Sequence, residues 1–194
     1  MLKVRDAARD DAHVISRIGR ASMPRQFAGL VDAEVVDAVA TQTYEPVAVA
    51  GCIASCDGAE DAVFLVAEVE DAVVGYLHFD CFGDDPELHR IYIDERFRSR
   101  GVGAALVAEL HARLEPETYI LLVVRGNDGA VRFYERHGLV QEDVLDGVSH
   151  YEAAGVRFPP NPKPFQLIVM RYRPDEPVGG TSGGGRASAR PGHA

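Results

Sequence analysis

The sequence is poor in cysteine, and its three, Cys52, Cys56 and Cys81, form no Cys-x-x-Cys pair. That excludes a disulfide framework and a cysteine zinc site. The thiols read as small packed hydrophobes, with Cys52 and Cys56 four apart as on one helix face and Cys81 at a strand end. His78 and Cys81 lack a third and fourth ligand, so no metal is expected. No apolar run approaches the roughly 18 residues of a membrane span. The opening MLKVRDAARDD is charged where a secretory signal would be apolar, so a soluble, cytoplasmic protein with no membrane partner is expected.

Basic residues are also scarce: 20 Lys and Arg face 30 Asp and Glu, a formal net charge of -10 over 194 residues. Such a field disfavours nucleic acid as a partner and favours cationic ligands, amines among them. The apolar share of 46% is ordinary, and the length suits one domain with a full core.

What the chain does have is concentrated in Leu88 to Leu114, LHRIYIDERFRSRGVGAALVAELHARL. Ile91 and Ile93 alternate with Arg90 and Tyr92, the period of a half-buried strand. Arg98-Ser99-Arg100-Gly101-Val102-Gly103 then runs into Ala104, Ala105, Leu106, Val107 and Leu110, spaced for one helix face that ends near Leu114. The first amides of a helix lack intrahelical partners and carry the positive end of its dipole, so they attract an anion. Gly101 and Gly103 let a phosphate reach the backbone, and Arg98 and Arg100 add positive charge. The loop reads as a pyrophosphate cradle. It is neither of two familiar phosphate loops: no Gly-Lys-Ser/Thr follows Gly103, and the third glycine of a dinucleotide fingerprint is missing.

Around this unit, Leu2 to Arg5 reads as a strand. A helix capped by Asp10 or Asp11 carries Val14, Ile15, Ile18 and Met23, with Pro24 near its end. Helices follow from Asp32 and over Val47 to Ser55. Ala62 to Val69 and Val73 to Phe82 form a hairpin, and a turn over Gly83 to Pro86 leads into the fourth strand of an antiparallel meander. Tyr119 to Val124 is apolar throughout, a strand buried on both faces and parallel to strand four by the right-handed crossover rule. Ala130 to His137 is a short helix closed by Gly138, with a strand from Leu139. Asp146 to Pro164 reads as a long connection walling an acceptor site, its prolines barring helix or central strand over 159–164. Phe165 to Tyr172 is the last strand. Residues 1–173 form the domain, and 174–194, rich in Gly, Ser and Pro, a disordered tail.

Two segments carry a family resemblance. Arg98-x-x-Gly101-x-Gly103 after a strand resembles motif A of the GCN5-related N-acetyltransferases (GNAT), whose loop binds the pyrophosphate of acetyl-CoA. Asn127-x-x-Ala130-x-x-Phe133-Tyr134-x-x-x-Gly138-Leu139, about 24 residues beyond Gly103, resembles motif B. The resemblance implies an α/β (α+β) fold: a mixed, twisted central sheet of about six to seven strands flanked by helices, with strands four and five splayed around the pantetheine arm. The main chain of Ile91, Tyr92 and Ile93 would hold that arm and the acyl carbonyl. Arg98, Ser99, Arg100, Gly101, Val102, Gly103 and Ala104 would hold the pyrophosphate, and Asn127 would contact the arm.

Tyr134, seven residues beyond Asn127 and so on the same side of the helix, would protonate the departing sulfur. Some relatives place a glutamate base in strand five, where Leu121 to Val124 offers no titrating group. Glu87 and His89 are the next candidates for the base, with Glu68 and His78 on neighbouring strands. The function implied is transfer of an acetyl group from acetyl-CoA to a primary amine of a small molecule or protein, by a monomer or homodimer. A non-catalytic acyl-CoA sensor and an interaction module whose loop only caps a helix are the alternatives. A proton donor at Tyr134 favours the enzyme.

Overall fold

The computed structural model describes residues 1–81 and 85–174. The expected turn at Gly83 and Asp84, and all of the expected tail beyond Pro174, lie outside those residues. The elements run β1 (Leu2–Asp6), α1 (Ala12–Phe27), α2 (Ala33–Thr43), α3 (Pro46–Cys56), β2 (Val63–Val69), β3 (Ala72–Asp80), β4 (Glu87–Ile93), α4 (Val102–Leu114), β5 (Tyr119–Val124), α5 (Asp128–Glu135), β6 (Leu139–Asp146), α6 (Gly147–Ala153) and β7 (Gln166–Tyr172). They build one seven-stranded sheet in the order β1-β2-β3-β4-β5-β7-β6. Every neighbouring pair is antiparallel except β4 and β5, which are parallel.

Period-two alternation sorts the strands between two helical layers. Leu65, Leu77, Phe79, Leu121 and Met170 face α4, meeting Val102, Leu106, Val107 and Leu110. Phe64, Val66, Tyr76 and Tyr92 face the other layer, meeting Ile15 and Ile18 of α1, Val36 and Val39 of α2, and Val49 and Ile53 of α3. The β2–β3 hairpin closes through Glu70 and Asp71 at φ 52° and 61°, the left-handed pair that matches strand twist in a two-residue turn.

The parallel pair is what positions the site. Its only register position is Glu87 opposite Ile120, where Ile120 N donates to Pro86 O at 2.9 Å. Beyond it, Ile91, Tyr92 and Ile93 pair with Leu77, Tyr76 and Gly75 of β3, while Leu121 to Val124 pair with β7. The strands therefore part, and one edge of β4 is left without a strand partner.

Two expectations are corrected. Residues 146–164 are not a bare connection. Asp146 Oδ1 accepts from Ser149 N at 2.8 Å and starts α6, a helix too short to show periodicity. The segment after α6 is tied to α2 by Gln42, which donates to Arg157 O at 2.9 Å and accepts from Arg157 N at 3.0 Å. Residues 159–164 have neither helix nor strand, as their prolines require. Pro24 falls in the last turn of α1, near its end as expected, whereas β3 ends at Asp80, before Cys81.

Candidate active site

The corner leading into α4 is set by backbone conformation. Ser99 and Gly101 take φ values of 59° and 78°, and the first helical hydrogen bond runs from Ala105 N to Gly101 O at 2.9 Å. The amides of Val102, Gly103 and Ala104 thus stand at the open helix end. A Cβ on Gly101 would meet nothing within 4 Å, so its φ and not crowding calls for glycine. Gly103 differs. A Cβ there would come 3.2 Å from Phe133 Cζ and 3.9 Å from Ile91 Cδ1, so glycine lets the first turn of α4 settle between α5 and β4. Arg98, Ser99 and Arg100 are exposed around the corner, and the Arg100 guanidinium lies 5.4 Å over the Phe97 ring. An open helix end with exposed cations beside it fits a pyrophosphate.

The parting of β4 and β5 opens a cleft lined by Leu88 to Tyr92, Leu121 to Val124, the end of α1 at Gln26 and Phe27, and Asn127, Ala130 and Tyr134 of the α5 region. The unpaired β4 edge along Ile91 to Ile93 fits an extended, amide-bearing arm. Asn127 caps α5, its Oδ1 accepting from Ala130 N at 3.2 Å, while lining this cleft. Tyr134 lines it too, its ring set edge-on to Phe133 at 5.1 Å. Burial pushes its hydroxyl pKa well above the ordinary tyrosine range, so the phenol keeps its proton.

At the closed end of the cleft sits a polar cluster. His89 Nδ1 lies 3.3 Å from Glu87 Oε1, and His89 Nε2 lies 3.0 Å from Asp80 Oδ2. His78 Nε2 is 3.3 Å from the same Asp80 oxygen, an ion-pair distance without hydrogen-bond alignment, and its ring packs 4.9 Å from that of His89. The pairing jumps from His78–Arg90 to Phe79–Leu88, which leaves His89 as an extra residue in β4. That bulge lets His89 and Arg90 both serve the α1–α3 face. Burial works against charge on His89, but Glu87 and Asp80 outweigh it and raise its pKa. Burial dominates at His78, stacked on Phe64 at 4.8 Å, and lowers its pKa. Glu68 is not part of this group; it accepts from Arg5 Nε at 2.7 Å toward the β1 edge of the sheet.

Sequence reasoning missed Asp80 and Arg90. Only the strand pairing brings Asp80 opposite Glu87 and Arg90 opposite His78. Among the described residues, no group of three or more His, Cys, Asp and Glu is placed to hold a metal ion, and no helix is long and apolar enough to cross a membrane.

Residues 60–140 match the family model described as an acetyltransferase (GNAT) domain. An N-acetyltransferase of Methanocaldococcus jannaschii, itself uncharacterised, is 33% identical over 94 residues, 43% of this chain and 42% of that protein. The spermidine N(1)-acetyltransferase of Thermoplasma acidophilum is 21% identical over 145 residues, 73% of this chain and 90% of that protein. The fold is that of the PaiA N-acetyltransferase of T. acidophilum, solved with coenzyme A, at a TM-score of 0.73 and 19% identity over 89% of this chain and 99% of that one. Residues 60–140 are thus similar to the GNAT acetyltransferase domain, and the fold is shared with an N-acetyltransferase solved with coenzyme A.

Proposed function

We propose that this chain acetylates a primary amine, of a small molecule or a polypeptide, by direct attack of the amine on the thioester of acetyl-CoA. The observation that carries the reading is a cleft that holds the unpaired β4 edge and a half-buried, protonated Tyr134, with the first turn of α4 adjoining it where Gly103 meets Ile91. Bound acetyl-CoA supplies the thioester. The amides of Val102, Gly103 and Ala104, with Gly101, Ser99, Arg98 and Arg100, bind the pyrophosphate. The main chain of Ile91, Tyr92 and Ile93 holds the arm and polarises the acyl carbonyl, and Asn127 flanks the arm. As the nitrogen–carbon bond forms and the carbon–sulfur bond breaks, Tyr134 gives its proton to sulfur. The amine proton passes through water to His89, held by Glu87 and Asp80. A non-catalytic acyl-CoA sensor would have no use for a proton donor in this place.

A panel of amines with acetyl-CoA, followed by release of free thiol, tests the reading. Release with at least one amine class is expected; binding of acetyl-CoA without release across the panel would contradict it.

The base also has a pH signature. His89 must be neutral to accept a proton, and its carboxylate neighbours favour the charged form against burial. The acidic limb of kcat/KM therefore lies above the ordinary histidine range. Glu87→Gln removes one anion, lowers the His89 pKa and moves that limb to lower pH. A limb that stays or moves upward would take His89 out of the role.

A further inference from the structure

Most buried or half-buried arginines of this chain have carboxylates: Arg5 meets Asp11 and Glu68, Arg113 meets Asp6 and Glu109, and Arg171 meets Asp85 and Glu142. Arg90 has none. Arg90 is half-buried, its guanidinium 5.5 Å over the Tyr44 ring, and its buried Nη1 has no hydrogen-bond partner among the described residues. The tyrosines packed around it, Tyr44, Tyr76 and Tyr92, are neutral near pH 7 because burial holds their hydroxyls protonated. An arginine cannot shed its proton, and a buried charge without a counter-ion is costly. Such a residue calls for an anion that arrives later.

Its place says which anion. Arg90 lines the cleft with His89 and Tyr134. It does so on the α1–α3 face, where Tyr44, Tyr76 and Tyr92 pack, while Ile91 and Ile93 face α4 and the cradle. The cleft thus runs through the sheet, with the acyl donor's pyrophosphate on one face and Arg90 on the other. Tyr151 of α6 feels Glu87 and Arg90 with opposite sign, so it stands within reach of both. An acceptor entering beneath α6 meets an anion at Glu87 and a cation at Arg90.

We infer that the acceptor carries a carboxylate beside its amine and that Arg90 binds that carboxylate, so that the substrate class is an amino acid or amino-acid-like compound and not a polyamine. The inference rests on the acetyltransferase reading above. Glu87 and His89 face the amine, Arg90 the carboxylate, and the pocket is complementary to a zwitterion. A polyamine, cationic along its length, would set a charge against Arg90.

The test compares alanine, phenylalanine and lysine with ethylamine, phenethylamine and cadaverine, which differ from them only in the carboxyl group. With wild-type chain and acetyl-CoA, at least one acid is expected to exceed its matched amine in kcat/KM by about 100-fold, and Arg90→Gln to cut that ratio at least about ten-fold. Equal or better use of the matched amines by wild type would overturn the inference, even if Arg90→Gln fails to fold. So would a parallel loss on both members of a pair, which marks a structural arginine, or a preference for succinyl over acetyl thioester, which puts the carboxylate on the donor. If nothing is acetylated, the acetyltransferase reading fails by itself. The carboxylate site is then read from thermal shift with coenzyme A present: acids that raise Tm of wild type and not of Arg90→Gln support it, and no such shift refutes it.

Discussion

Tyr134→Phe lowers kcat for amine acetylation about 100-fold, the usual scale for removing a positioned general acid. Affinity for acetyl-CoA stays within about two-fold, because only an oxygen is lost and the ring keeps its packing. The aromatic stack explains the division. Tyr134 packs edge-on to Phe133, which in turn packs 4.4 Å from His137, and this arrangement does not need the hydroxyl. Burial raises the pKa of the phenol and keeps it protonated near neutral pH, so the variant loses a donor and not a charge. Steady-state kinetics with calorimetry of acetyl-CoA binding separates the two effects. Turnover equal to wild type would remove the acid role.

The second large effect is on binding. Gly103→Leu raises the Kd for acetyl-CoA by roughly 10- to 100-fold, equivalent to an overpacking cost of about 1–3 kcal/mol at the docking surface. A Cβ alone would stand 3.2 Å from the Phe133 ring, a contact too tight without a shift of a few tenths of an ångström, and the rest of a leucine side chain adds to it, pressing the first turn of α4 away from α5. That shift misaims the amides of Val102 and Ala104 and intrudes on the end of the cleft. Calorimetric binding indistinguishable from wild type would show that the pyrophosphate lies elsewhere.

Much of this could be read from residue order. Alternation of Ile91 and Ile93 with Tyr92 foretold which side of β4 meets α4, and the run from Arg98 to Leu110 foretold the strand, corner and helix. The spacing of Asn127 and Tyr134 foretold their shared exposure to the cleft. What stayed hidden depends on partners distant in sequence. The bulge at His89 arises from strand pairing and leaves no mark in Glu87-Leu88-His89-Arg90. Asp80 joins His89 only through that pairing, and the isolation of Arg90 is a property of everything packed around it. Gly103 looked like clearance for a phosphate, whereas Phe133, 30 positions on, gives it a packing reason as well. Helix α6 escaped because seven residues span barely two turns, and its start depends on one cap from Asp146.

The most direct measurement is a crystal structure of the chain with coenzyme A bound. The account predicts pyrophosphate density on the amides of Val102, Gly103 and Ala104, with the arm running between β4 and β5 along Ile91 to Ile93 and its sulfur beside Tyr134. Density on another surface, or β4 and β5 paired along their length with no room between them, would contradict it.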